Sequence, residues 1–232
     1  DNDSRSYGLM YQWGRKDPFL SSSSIDVYQL PESTNDKWYS EIILQGSPFI
    51  HSFSHPMTFI VTRQDRLDWH GYTDDGLWTA SKTIYDPCPV GYKVPHRKVW
   101  LSFSKTESYN GDIKDMNISG EYEYALGAYM IYDGTNTTFY PVGTSIRNSS
   151  AWGNHGDWGE YWTTESSGSN IAYQFELCAN SFSLDQSEPM NYAHHVRCMK
   201  DENHVDVAYP VVTITEVSDV TENAAKVYAS IE

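Results

Sequence analysis

The sequence has little positive charge: its 232 residues include 16 Lys and Arg against 31 Asp and Glu, a formal net charge of −15. A nucleic-acid surface needs a basic patch to displace counterions, so this balance argues against nucleic acid as a partner. It argues equally against electrostatic docking on anionic lipid. Long apolar runs are also lacking, because no stretch approaches the length of a membrane-spanning helix. We therefore expect no membrane span in this chain.

The chain also lacks recognisable targeting signals. It opens on "DNDSRSYGLMYQW", with no initiator Met, no signal peptide and no lipoprotein Cys. We therefore expect it to be a mature or excised piece, whose missing signal says nothing about its location.

Aromatic residues are what the sequence has in quantity. They make up 15% of the chain, including 18 Tyr and 8 Trp, whereas charged residues make up only 20%. Aromatic side chains supply large buried areas, so the composition excludes a disordered protein. It is also unlike the Leu, Ala, Glu and Lys mixture of a helical protein. The composition predicts a β-rich protein with long, polar, ordered loops.

The periodicity predicts a few elements directly. Pro95 fits a helix start, and Val99, Trp100 and Phe103 fit one face of a short helix after it. Asp133-Gly134 is a turn signal between two strand-like segments. Closing strands are predicted at 171–178, 180–185 and 194–200.

The C-terminal segment differs in character from the rest. Apolar residues alternate with polar ones in two runs within 209–232. These runs look like the first two strands of an immunoglobulin-like or fibronectin-III-like module, and two strands cannot bury a core alone. We therefore predict a main domain over 1–204, followed by a linker and the first two strands of a truncated Ig-like module over 205–232.

Four motifs come in the order and rough spacing of one protein family: "GLMYQWGRKDPF", "DPCPVGYKVPHRKVW", "YWTTES" and "HHVRCMKDE". Together they resemble the Fibrobacter major paralogous domain, which is common in surface proteins of Bacteroides-type bacteria. The resemblance covers approximately residues 5–203. The matching positions of this chain are Cys88, Pro89, Gly91, Tyr92, Pro95, Trp100, Tyr161, Trp162, Thr163, Thr164, Val196, Arg197, Cys198, Met199 and Lys200.

The resemblance implies a fold. The family looks related to the C-type lectin-like fold, so we expect an α+β, β-rich domain with one or two short helices and long ordered loops. In such a fold the first strand, 7–13, would lie near the last, 196–200. The family's known residues are structural markers, so the resemblance carries over no catalytic set.

The resemblance also bears on the three cysteines. Cys88 and Cys198 occupy the two matching positions, which implies a disulfide between them and an oxidising compartment. A pairing of Cys178 with Cys198 is the rival. Cys178 lies outside the family's pattern and is most simply a buried free thiol.

The sequence also bears on metal binding and on a catalytic role for the cysteines. Zinc needs closely spaced Cys or His pairs, and no C-x-x-C is present. A nucleophilic Cys88 would need a nearby base, and nothing in the sequence selects one of the eight histidines. Lectin-type calcium binding lacks its oxygen ligands, because "YWTTE" stands at the key strand. We expect neither a metal nor a cofactor.

The aromatic loops are the remaining signal. Trp152, Trp158, Tyr161 and Tyr192 are candidate ligand-binding residues, because Trp and Tyr stack on sugar rings and anchor protein interfaces. The alternative is that these rings form core. The adjacent pair His194-His195 faces opposite sides of a strand and cannot converge on one metal, so we expect one buried and one exposed ring.

The function expected from these observations is non-enzymatic recognition or adhesion. The location implied is extracellular, at the outer-membrane surface of a Gram-negative bacterium, on a lipoprotein or pilus. The partners expected are a glycan or a host or bacterial surface protein, with other subunits of a surface assembly as a further possibility. The alternative is a structural spacer or assembly module with no ligand of its own. Exposed Trp and Tyr would favour an adhesin, and buried ones a spacer.

Overall fold

The structure of the protein is a computed structural model. It describes residues 8–20, 41–42, 48–54, 56, 59–61, 68–70, 76–117, 128–132, 135–143, 145–147, 152–153, 158–168, 170–203, 212–218 and 226–231.

The described residues are β-rich with few, short helices, as the composition predicts. The helices are α1 (Pro48–Ser54) and two 3-10 helices, Arg97–Phe103 and Ile113–Asp115. The strands are β1 (Leu9–Gln12), β2 (Phe19–Leu20), β3 (Glu41–Ile42), β4 (Ile60–Val61), β5 (Tyr92–Lys93), β6 (Asn110–Asp112), β7 (Ala128–Tyr132), β8 (Thr137–Pro141), β9 (Ser145–Ile146), β10 (Trp152–Gly153), β11 (Trp158–Gly168), β12 (Ile171–Cys178), β13 (Ser181–Pro189), β14 (Ala193–His195), β15 (Met199–Lys200), β16 (Val212–Ser218) and β17 (Lys226–Ile231). None of these helices is long and apolar enough to cross a membrane.

One sheet organises the first two hundred residues. Within the described part of the chain its strands run in the order β10, β9, β14, β11, β12, β13, β6, with β1 paired to β14 and β2 paired to β1. The neighbouring strands β11 and β12 are antiparallel and place Tyr161 opposite Phe175. Their aromatic and β-branched residues suit a pleated sheet that is covered on both faces.

Two hydrophobic cores cover the opposite faces of this sheet. Alternation along β11 sends Tyr161 to one face, where it lies in a core with Phe175 and Trp100. Trp162, the next residue, points to the other face and lies in a core with Trp13 and several further aromatics. Because both faces are covered, β11 is buried over six consecutive residues.

The first and last parts of this region meet in the sheet. β1 runs antiparallel to β14, with Met10 opposite His195. The family resemblance predicts that the first strand lies near residues 196–200. The strand that pairs with β1 is instead β14, which ends at His195, just before that segment. β15, at Met199–Lys200, pairs instead with β5. The predicted closing strand is therefore split into two, with residues 196–198 between them.

The predicted helix after Pro95 is present as the 3-10 helix Arg97–Phe103. His96 caps its first turn, since its Nδ1 accepts a hydrogen bond from the Lys98 amide at 3.2 Å. Trp100 is buried and Phe103 is half-buried, as predicted. Val99 is 36% exposed, so its assignment to the buried face was wrong. A 3-10 helix has three residues per turn, which aligns Trp100 with Phe103 and leaves Val99 beside them.

β7 and β8 form the predicted hairpin, with Tyr129 opposite Tyr140. Its predicted turn, Asp133-Gly134, lies outside the described residues.

The chain divides into two compact units, 1–200 and 201–232. Within the second, β16 and β17 pair antiparallel, with Val212 opposite Ile231. The assignment of this unit to the start of an Ig-like module stays a prediction.

Candidate functional site

The segment 85–95 is held by one buried carboxylate. Asp86 accepts hydrogen bonds from the Cys88 amide at 2.8 Å and from the Val94 amide at 2.9 Å. Lys82 contacts both Asp86 and Cys88, since its Nζ lies 2.9 Å from Asp86 Oδ1 and 2.6 Å from the Cys88 carbonyl oxygen. A buried carboxylate must be paired or hydrogen-bonded, and here its partners include the backbone on either side of the turn, at Cys88 and Val94. Asp86 therefore fixes the shape of the segment.

A tight turn lies inside this segment. The Tyr92 amide donates to the Pro89 carbonyl at 3.0 Å, which closes a four-residue β-turn. Gly91 stands at its third position with a φ of 77°. That position of a type II turn needs a positive φ, which glycine adopts at no steric cost. The turn carries the Tyr92 side chain out to the surface, where it is 45% exposed.

The segment is joined covalently to the far end of the first unit. Cys88 and Cys198 form a disulfide across a sequence separation of 110 residues, which confirms the predicted pairing. Next to it, β5 and β15 pair antiparallel and place Tyr92 opposite Lys200. Cys178 is a free thiol, as predicted, but it is half-exposed and not buried. Its Sγ lies 2.9 Å from the Ser181 Oγ at the rim of the sheet.

A groove of about 510 Å³ opens beside the disulfide. Tyr140 forms its inner wall, because this ring is 5% exposed and its hydroxyl accepts a hydrogen bond from the Trp100 indole at 2.9 Å. Burial raises the pKa of the Tyr140 hydroxyl. The outer wall is exposed and includes Tyr92. The groove is lined by Pro89, Tyr92, Thr138, Tyr140, Val196, Arg197 and Cys198.

Arg197 supplies the positive charge of the groove. It is half-buried, and its guanidinium carbon lies 5.3 Å from the centre of the Tyr140 ring. A guanidinium over a tyrosine ring is attracted by the electrons of the ring face. Aromatic rings, a cation and a threonine hydroxyl thus meet in one concave surface, which is the usual composition of a small-ligand site.

A second cluster of charged groups lies on the sheet and is largely buried. Glu160 on β11 is 2% exposed and bonds the Arg147 guanidinium at 2.6 Å. The His194 Nδ1 lies 3.3 Å from the other Glu160 oxygen. Glu176 lies opposite Glu160 on β12 and is 6% exposed. The Gln174 amide nitrogen lies 3.4 Å from an oxygen of each of the two glutamates.

The two glutamates have opposite pKa shifts. Burial raises the pKa of Glu160, but the charges of His194 and Arg147 and the hydrogen bonds from His194 and Ser145 outweigh it, and the pKa falls to about 2. Burial, together with the negative charges of Glu160 and Glu188, raises the pKa of Glu176 to about 7. Among the described residues, no three His, Cys, Asp or Glu side chains are grouped so as to hold a metal ion. The two glutamates of this cluster lie in the core, and their ionisation affects the stability of the fold.

The four aromatic residues predicted to bind ligand differ in their exposure where the structure describes it. Tyr161 is 1% exposed and donates its hydroxyl proton to the Pro141 carbonyl, so it is a core residue and unavailable to a surface ligand. Its ring faces inward because the core on its side of the sheet is complete. Trp158 and Tyr192 are half-buried. The backbone of Trp152 forms β10, and its side chain lies outside the described residues.

Both members of the histidine pair are buried, so the expectation of one exposed ring was wrong. His194 contacts the Trp162 ring at 4.3 Å between centres, and His195 lies 5.9 Å from the Tyr161 ring. They do face opposite sides of β14, as alternation requires. Each side carries its own core, so neither ring reaches solvent.

Five of the seven groove residues are among the positions that match the family, and no ligand role was predicted for them: Pro89, Tyr92, Val196, Arg197 and Cys198. Thr138 and Tyr140 lie outside those positions. Tyr92 and Arg197 each lie within a few residues of a half-cystine. The predicted disulfide therefore also predicts that Tyr92 and Arg197 come close together. This proximity is the feature of the sequence that could have indicated the groove.

Comparison of the chain with family models, with curated proteins and with solved structures found no match. The resemblance to the Fibrobacter major paralogous domain therefore stays a prediction.

Proposed function

We propose that this protein is a non-enzymatic recognition module of a bacterial cell surface, which binds a glycan or a surface protein through the groove beside Cys88–Cys198. The observation that carries the proposal is the groove itself, with the exposed Tyr92 ring, the Arg197 guanidinium and the Thr138 hydroxyl on one concave surface. Such a mixture suits sugars and protein side chains alike. Carriage on a lipoprotein or pilus belongs to the same proposal.

The disulfide supports an extracellular location, at the outer-membrane surface of a Gram-negative cell. Disulfides persist in oxidising compartments and are rare in the cytosol. Cys198 lines the groove and is bonded to Cys88, so oxidation and the shape of the site are linked.

A C-type lectin-like fold for the first unit is part of the proposal. Two observations support it: β1 pairs with β14 near the end of the unit, and the described residues 76–91 form a long loop with neither helix nor strand. Pairing of the N- and C-terminal strands is what the family resemblance leads us to expect.

An enzymatic role has weaker support. The most perturbed titratable groups are Glu160 and Glu176, and such groups often mark active sites. Both are at most 6% exposed, and Glu160 is already bonded to Arg147. A catalytic carboxyl must come within hydrogen-bond reach of its substrate, which neither position offers.

The second candidate is a structural spacer or assembly module that contacts other subunits of a surface assembly. The tryptophans favour it, because those in the described core are 2% exposed or less: Trp13, Trp69, Trp78, Trp100 and Trp162. They stabilise the fold and leave recognition to the tyrosines and Arg197.

The folded chain, screened against glycan and surface-protein arrays, separates the two candidates. Recognition predicts at least one binder, whose signal falls in a Tyr92→Ala variant. Phe53→Ala is the matched control, since Phe53 is an exposed ring on α1 and does not line the groove. If no binder is found on either array, the spacer replaces the recognition module. Equal losses in the two variants would show that binding does not use the groove.

A further inference from the structure

The arginines of the described region are not equivalent. Three of the four lie within 3.3 Å of a carboxylate oxygen: Arg15 with Asp17, Arg97 with Glu165, and Arg147 with Glu160. Arg197, the fourth, has no hydrogen bond or ion pair with any described residue, and its guanidinium contacts only the Tyr140 ring. In a chain with 31 acidic residues, an arginine without a carboxylate is the exception.

Arg197 is one of the residues that line the groove, and no described residue takes its guanidinium donors. A guanidinium has five N–H donors in a planar fork, and it pairs best with a planar carboxylate through two parallel hydrogen bonds. The Tyr140 ring attracts the guanidinium through its face and takes none of these N–H donors as a hydrogen-bond acceptor. The groove thus contains a preformed half of a bidentate ion pair.

The charged residues at the groove also favour a negatively charged ligand. Lys200 is exposed and lies directly opposite Tyr92, so both side chains lie on the same face of the β5–β15 pair. None of the lining residues is acidic. The groove is therefore locally positive on a chain whose net charge is −15.

We infer that the groove binds a saccharide carrying a single carboxylate, which pairs with the Arg197 guanidinium while a sugar face lies against the Tyr92 ring. This inference rests on the proposed recognition function and names its ligand class. A volume of about 510 Å³ accommodates one or two sugar rings. The net charge of −15 repels polyanions and acidic proteins, so a compact ligand with one charge fits better than a sulfated polymer.

The test is calorimetric titration of the full chain with four defined probes. The methyl glycosides of glucuronic acid and of N-acetylneuraminic acid each carry a carboxylate, and they separate the two common sources of such a sugar. Methyl glucoside is the neutral control, and a short acidic peptide tests a protein ligand. One or both acidic sugars should bind about tenfold or more tightly than methyl glucoside, because the carboxylate makes charge-assisted hydrogen bonds with Arg197 that the neutral sugar cannot make.

Two substitutions locate the binding. Arg197→Met should reduce the affinity for the acidic sugar by about tenfold or more, while Lys98→Met removes an exposed charge elsewhere and should leave it unchanged. Arg197→Lys keeps the charge without the fork and should fall between them. If Arg197→Met unfolds, as judged by circular dichroism, Arg197→Lys carries the test alone.

Three outcomes overturn the inference: equal affinity for neutral and acidic sugars, binding of the acidic peptide alone, or unchanged affinity in the Arg197 variants. If the arrays give a neutral ligand and no acidic probe binds, the recognition function stands and the charged ligand class is wrong. If neither arrays nor probes give a binder, both fail.

Discussion

Glu160 and Glu176 lie directly opposite each other on β11 and β12, yet the pKa of one is lowered and that of the other is raised. The Glu160 carboxylate has Arg147 and His194 beside it, whereas Glu176 faces the negative charges of Glu160 and Glu188. Each group shifts the stability in its own pH range. Glu160 contributes stability that is lost as the pH falls from 4.5 towards 2. Glu176 lowers stability as the pH rises from 4.5 to 7.

The first prediction concerns Glu176→Gln. Between pH 4.5 and 7 the folded state retains a proton that the unfolded state has already released, so raising the pH favours unfolding. The amide cannot ionise, so the variant should lose this decline. Above pH 7 it should be more stable than the wild type by on the order of 2 kcal/mol. Urea denaturation across this pH range measures the difference. Glu202→Gln, at an exposed position, is the control, and identical slopes in all three proteins would contradict the prediction.

The second prediction concerns the cysteines. In the native, unreduced protein a thiol reagent should modify Cys178 alone, and after reduction and unfolding it should modify all three cysteines. Replacing both Cys88 and Cys198 by Ala should lower the free energy of unfolding by up to about 4–5 kcal/mol, since a long closed loop is released. Cys178→Ser serves as the control and should have little effect. Labelling of Cys88 without reductant would rule out the bridge.

The third prediction concerns two tryptophans that tie β1 to β11. The Trp13 indole donates to the Thr163 carbonyl and the Trp162 indole donates to the Tyr11 carbonyl, both at 2.8 Å. Trp162→Phe removes a hydrogen bond and leaves a cavity, so we expect a loss of about 2–4 kcal/mol in chemical denaturation. Trp158→Phe, at a half-buried position on the same strand, should cost clearly less. Equal losses would contradict the assignment of Trp162 to the core.

The fourth prediction concerns Gly143, which lies against the His195 ring. A Cβ at this position would clash with the His195 Nε2 and lie 3.0 Å from its Cε1. Because His195 is buried, the ring cannot move aside without disturbing the core. Gly143→Ala should therefore destabilise the protein by about 1–3 kcal/mol. Its cost should shrink in a His195→Ala background, measured as a double-mutant cycle. Additive effects would mean that the two residues are not in contact.

The parts of the fold that the sequence predicts are those with a local signal. Alternation, aromatic content and proline position predict the strands at 171–178 and 180–185 and the helix after Pro95. The second of these strands extends further in the structure, to Pro189. The disulfide followed from the family resemblance, and no local pattern would have chosen Cys198 over Cys178.

The candidate site was predicted less well, for a physical reason. Alternation places Tyr161 and Trp162 on opposite faces, but it does not say that both faces are covered, so it leaves Tyr161 open as a candidate ligand contact. The pairing of Glu160 with Glu176 depends on strand register, which a single sequence does not specify here. Tyr92 and Arg197 come together only through the disulfide and the β5–β15 pair.

Binding of a carboxylated sugar in the groove is tested most directly by following the backbone amide resonances while the acidic methyl glycosides are added. Binding in the groove predicts saturable shifts at Tyr92, Thr138 and Arg197, with no comparable shift at Phe53 on α1. Saturable shifts confined to other parts of the protein, or no shifts at any attainable sugar concentration, would contradict it.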